Sequence, residues 1–143
     1  MADKHTKEQR RKNMQAIKSQ SKLEAKATAE LWRRGMRFRR NVKSLFGKPD
    51  IAIKKYKIVV FIDSCFWHGC DIHGNMPKSN KEYWEAKLKR NKVRDSEVTS
   101  YYKEKGWNIL RIWEHEFKKD FNMAIDKIEK FIKETKDEFS KRH

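Results

Sequence analysis

The chain has 143 residues, 37% of them hydrophobic and 39% charged, with 36 Lys and Arg against 20 Asp and Glu. That length supports a single domain, 1–143, with a modest core, and a net charge of +16 resists compaction unless a polyanion such as nucleic acid offsets it. No apolar run approaches the roughly 20 residues of a membrane-spanning helix, and the N-terminal MADKHTKEQRRK carries no apolar signal segment, so a cytoplasmic setting without a membrane partner is expected.

Residues 1–12 are polar and basic without apolar periodicity and read as a flexible arm or an exposed helix start. Ser21-Lys22-Leu23-Glu24 matches a capping box and predicts a helix opening there. Its apolar face is Leu23, Ala27, Leu31 and Trp32, and Gly35 is its stop. Met36 to Asn41 reads as extended and arginine-rich, and Leu45-Phe46-Gly47-Lys48 as a loop leading to Pro49. A short strand is expected over Asp50–Ile53 and a turn over Lys54–Lys57. Ile58–Ile62 is β-branched and aromatic throughout, which predicts a central strand buried on both faces. Gly, Asn, Ser and Pro mark residues 69–80 as loop. Ser79 or Asn80 then caps a long helix that runs towards Lys105 and stops at Gly106. Trp107–Trp113 reads as a third strand, and Phe117–Phe139 contains a final helix with Ile125, Ile128, Phe131 and Ile132 on one face. Trp32, Trp107 and Trp113 are assigned to the core. Helix, strands, helix, strand, helix is the order of an α/β or α+β sheet with helices on its faces.

Cys65-Phe66-Trp67-His68-Gly69-Cys70-Asp71-Ile72-His73 holds both cysteines of the chain and two of its five histidines. Thiolates and imidazole at this spacing are zinc ligands in a reducing compartment, where a disulfide is disfavoured. Cys65, Cys70 and His73 supply three ligands. His115 is the natural fourth if the third strand pairs in parallel beside Ile58–Ile62, because both strand ends then meet at one sheet edge. Four protein ligands leave no position for water, so such a zinc is structural.

Phosphodiester hydrolysis needs a cation to stabilise developing charge and a base to activate water. Asp50 opens one strand and Asp63 ends the next, so a hairpin brings both carboxylates towards one magnesium ion. His68 is placed to accept a proton from water near neutral pH. Glu24 joins this set if it is more than the glutamate of a capping box.

These residues resemble the very short patch repair (Vsr) endonucleases over nearly the whole chain, from Arg11-Lys12-Asn13-Met14 to Trp113-Glu114-His115. The most specific match is Cys65-Phe66-Trp67-His68-Gly69-Cys70 with His73-Gly74 and Met76-Pro77-Lys78-Ser79-Asn80. Lys48-Pro49-Asp50, Tyr83-Trp84, Lys87, Asn91, Gly106-Trp107 and Ile112-Trp113-Glu114 support it. The resemblance implies a PD-(D/E)xK restriction-endonuclease-like central mixed sheet flanked by helices, with a structural zinc. It implies a monomeric, bacterial, nucleoid-associated enzyme that nicks one strand of double-stranded DNA 5′ of the T in a T:G mismatch, the lesion left by deaminated 5-methylcytosine, in company with mismatch-repair proteins. By resemblance Asp50 binds catalytic Mg2+, His68 activates water, and Glu24 orients that histidine or a metal-bound water. Phe66, Trp67 and Trp84 match aromatics that wedge into the duplex, and Met14, in a basic DNA-contacting arm over residues 1–20, matches a position that touches DNA, as do Lys87 and Asn91.

This chain has Asp63 where some relatives carry histidine, which makes Asp63 a candidate metal ligand. Cys65 stands where the wider nuclease motif has lysine, leaving charge relief to His68 and the metal. Some relatives have cysteine at the place of His115, and histidine suits zinc equally. Two other functions fit the composition: a restriction-type nuclease of the same fold acting on matched DNA, and a zinc-stabilised DNA-binding module without catalysis.

Overall fold

The computed structural model describes residues 7–64 and 81–142. Its element order is α1 (Lys7–Arg33), β1 (Arg39–Arg40), β2 (Ile51–Ile53), a 3-10 turn (Lys54–Tyr56), β3 (Ile58–Asp63), α2 (Lys81–Glu104), β4 (Asn108–Trp113), α3 (Glu114–Lys119) and α4 (Phe121–Arg142). The strands form one mixed sheet in the order β1-β2-β3-β4. β1/β2 and β2/β3 are antiparallel, and β3/β4 is parallel, with α2 as the crossover. No helix among the described residues is long and apolar enough to cross a membrane.

β3 is the organising strand, and every one of its residues is buried. Alternation sends successive side chains to opposite faces. Ile58, Val60 and Ile62 pack with Ala27 and Leu31 of α1 and with Ile125, Ile128 and Ile132 of α4. Val59 and Phe61 pack with Val98 and Tyr102 of α2 and with Val42 and Ala52. The sheet is therefore sandwiched, α1 and α4 on one side and α2 on the other. Parallel pairing sets Phe61 beside Arg111 and Asp63 beside Trp113, so β3 and β4 end at the same edge, the condition under which the sequence makes His115 a candidate fourth ligand.

Two expectations are corrected. α1 begins at Lys7 and runs straight through Ser21, so the apparent capping box lies in mid-helix. Once preceding residues are helical, the Ser21 amide needs no cap, and packing of Ala27 and Leu31 stabilises the longer helix. Trp32 is 47% exposed instead of core. Its ring meets Phe38 edge-on and carries the Arg37 guanidinium 4.0 Å from its centroid. Gly35 does terminate α1, with φ +97° and the Met36 N–H bonded to the Leu31 carbonyl.

The loop before Pro49 is pinned to α2. The Tyr102 hydroxyl donates to the Phe46 carbonyl, the Phe46 ring lies 4.8 Å from that of Tyr101, and a Cβ on Gly47 would come within 2.7 Å of Val98. Gly47 also has φ +76°. Gly47→Ala is expected to cost about 1–3 kcal/mol in urea unfolding, through overpacking and strain together. Val98→Ala in the same chain should relieve the steric share and recover part of that loss.

Candidate active site

Three acids gather near the sheet edge where β3 ends. Asp50, immediately before β2, accepts a hydrogen bond at its Oδ2 from the Ile62 N–H at 2.6 Å. Its carboxyl also hydrogen-bonds the carboxyl of Glu24, which α1 delivers one turn before Thr28. Burial, the bond to Glu24 and the negative charges of Glu24 and Asp63 together push Asp50 up to about 8, against the opposing pull of the Ile62 N–H. The Asp63 carboxylate is held by the Arg111 guanidinium at 2.9 Å.

Asp50 and Asp63 share a cavity of about 370 Å³ with Lys48, Lys87, Asn91, Arg94, Asp95 and Arg111, a volume typical of ligand clefts. One wall is the loop bearing Gly47 and Lys48, and the floor is β3 with Arg111 of β4. The other wall is α2, where Lys87, Asn91, Arg94, Asp95 and Val98 recur at helical spacing. Carboxylates at the base and cations on the walls suit a phosphodiester held beside a hydrated divalent cation.

The family model described as "DNA mismatch endonuclease Vsr" matches residues 2–74, just over half of the chain. The chain is 42% identical over 135 residues to the type II nicking enzyme V.NmeDIP of Neisseria meningitidis serogroup C, covering 92% of this chain and 91% of that protein. It is 42% identical over 132 residues to the type II nicking enzyme V.HpaIIP of Haemophilus parainfluenzae, covering 87% and 94%. To the DNA mismatch endonuclease Vsr of Escherichia coli K12 it is 37% identical over 117 residues, covering 80% and 74%. The chain belongs to the Vsr family.

Within this Vsr-family structure, Asp50, Glu24 and Asp63 come together as expected, and Lys87 and Asn91 face the same cavity. Met14 is 59% exposed on the N-terminal half of α1. Trp84 is fully buried at the start of α2 and does not present its ring at the surface. His115 lies in the first turn of α3 at the end of β4, its ring stacked near-parallel to Trp113 at 6.2 Å. Cys65, Phe66, Trp67, His68, Cys70 and His73 lie outside the described residues. Among the described residues no three His, Cys, Asp or Glu side chains form a metal-holding group. Sequence reasoning missed Arg94, Asp95 and Arg111 as cavity residues. Arg94 and Asp95 follow Lys87 at the next turns of the same stripe, and Arg111 was marked by being a charge inside an apolar strand.

The raised Asp50 acid has a stability signature. In the unfolded chain Asp titrates near ~4, whereas here its acid is pushed up to about 8. The folded state thus binds this proton more tightly, and the contribution is complete below the unfolded value and lost as pH rises through the folded one. Without divalent cation, the melting temperature should fall between about pH 5 and pH 8.5 through this group. Asp50→Asn should flatten that fall and melt higher than wild type at the alkaline end.

Proposed function

We propose that this Vsr-family protein is a magnesium-dependent endonuclease that nicks one DNA strand 5′ of the T in a T:G mismatch, and so initiates repair of deaminated 5-methylcytosine. The observation that carries this reading is the convergence of Asp50 and Asp63 at the base of a cavity walled by Lys48, Lys87, Asn91 and Arg94, with the Glu24 carboxyl bonded to that of Asp50. The relatives named as nicking enzymes and as a mismatch endonuclease support single-strand cleavage at a mismatch.

The donor set fits a hard divalent cation. A buried acid raised by neighbouring acids is relieved when a cation replaces the shared proton. Asp50 is the protein ligand in this reading, and magnesium commonly keeps water and substrate phosphate for the remainder of its shell. When bound, the cation stabilises charge developing on the phosphate oxygens. Glu24 holds the Asp50 carboxyl in place, and the wall cations hold the flanking phosphates. His68 takes the proton of the attacking water. Phe66 and Trp67 wedge beside the mismatch, where unstacking a wobble pair costs less than unstacking a matched one. Stacking on such rings returns about 1–3 kcal/mol per base. Lys87 and Asn91, four residues apart on the cavity face of α2, read base edges or phosphates. Met14, on the exposed basic arm, adds a contact outside the cavity.

Zinc fits His115 together with Cys65, Cys70 and His73. His115 lies at the edge where β3 ends, two residues before Cys65. The protein acts as a monomer on DNA in the bacterial cytoplasm, with mismatch-repair proteins as partners.

Incubation with Mg2+ and either a matched or a T:G duplex tests the function. A single nick in the T:G strand alone is expected, lost in Asp50→Ala and in His68→Ala while both variants keep the wild-type circular dichroism spectrum. Two-strand cutting of the matched duplex would instead identify a restriction-type nuclease, and binding without product a non-catalytic module. Native mass spectrometry should find about one zinc per chain, lost with folding stability in Cys65→Ser and Cys70→Ser.

A further inference from the structure

Arg111 is a charged residue in an otherwise apolar strand, and its guanidinium is engaged on three sides. Nη1 donates to Asp63 Oδ1 at 2.9 Å, Nε to Thr99 Oγ1 at 2.7 Å, and Nη2 to the Asp95 carbonyl at 3.1 Å. Its central carbon lies 4.6 Å from the centroid of the Phe61 ring. One side chain therefore joins β3, β4 and α2 at the floor of the cavity. A guanidinium with only 20% of its side chain exposed needs a matched set of acceptors, and the Asp63 carboxylate, 6% exposed, is its nearest counter-charge, ahead of the Asp95 carboxylate at 4.0 Å.

We propose that Asp63 serves as the counter-charge of Arg111 and not as a ligand of the catalytic cation, and that the pair is a positioning device for nicking. The inference rests on the nuclease function proposed above. A cation claiming Asp63 Oδ1 would have to displace a guanidinium that two further hydrogen bonds hold in place. Asp50 faces different neighbours, the Glu24 carboxyl and the Ile62 N–H. The alternation of the parallel pair explains the geometry. Phe61 and Arg111 are register partners on the α2 face, and Asp63, two residues on, falls on that same face within reach of the guanidinium. Asp95 and Thr99 are one turn apart on α2, so the same arginine sets how the Lys87, Asn91 and Arg94 wall stands against the strand that positions Asp50.

The test compares Mn2+ binding without DNA, read from loss of the free-ion EPR signal, with nicking kinetics on a T:G duplex at saturating Mg2+. Asp63→Asn should bind Mn2+ as wild type does, whereas Asp50→Asn should lose more than about 100-fold in affinity, beyond the range of an outer-sphere partner. Asp63→Asn and Arg111→Met should each lower kcat by about 10- to 100-fold with KM for DNA unchanged, as outer-sphere partners do. The double variant should be no worse than the poorer single one, because both changes break the same unit. Arg111→Lys keeps the charge but not the fork and should fall between wild type and Arg111→Met. Weakening of Mn2+ binding in Asp63→Asn as large as that in Asp50→Asn would overturn the proposal, as would wild-type kcat in Arg111→Met. Should Arg111→Met not fold, the near-isosteric Asp63→Asn decides alone. A wild-type protein that binds Mn2+ yet nicks no DNA would count against the nuclease function and leave the Mn2+ comparison to judge this assignment.

Discussion

β3 is covered on both faces and paired along both edges, and the placement of the site depends on that enclosure. A strand in this position must alternate apolar side chains into two layers, and any polar residue it carries must find a partner or lie at its end. Asp63 does both. Antiparallel pairing carries the chain before β2 alongside β3, which is how the Ile62 N–H comes to meet Asp50. Parallel pairing carries β4 to the same edge, so the residues following Trp113 emerge beside those following Asp63. One strand thus assembles acids from three distant parts of the chain, with α1 contributing Glu24.

The electrostatics work at two ranges. Over the whole surface the excess of Lys and Arg attracts a polyanion without regard to its sequence, and this attraction weakens steeply with salt. Inside the cavity the balance is local. Arg111 compensates Asp63, while the Asp50 carboxyl hydrogen-bonds that of Glu24. A phosphate approaching such a base would meet repulsion unless a counter-ion accompanied it, which is the role given to magnesium in the proposed function.

Much of this was legible in the sequence. The unbroken apolar run Ile58–Ile62 announced a central strand, and Asp50 and Asp63 at the ends of adjacent apolar runs announced a hairpin with facing acids. Lys87 and Asn91 at helical spacing announced a common face. The extent of α1 was not legible, because Ser21 to Glu24 satisfies a local capping rule and the decision is taken by packing and by residues further upstream. Trp32 follows Leu31 directly, and a helix turns 100° per residue, so adjacency to a buried position did not make it buried. Arg111 escaped notice because its meaning lies in partners 12 to 48 residues away, from Thr99 to Asp63. A lone charge in a strand shows that a partner exists without saying which.

The contact between Gly47 and Val98 has a consequence for anyone recombining members of this family. The loop that leads into Asp50 and the helix that faces it are fitted to one another at a point with no room for a single added methyl group. A chimera that imports α2 from a relative with a bulkier residue in place of Val98 would keep the old loop against a side chain it does not fit. The transferable module is therefore the pair, residues 43–48 with 81–104, and exchanging either half alone should misalign the centre before any change in recognition can be read.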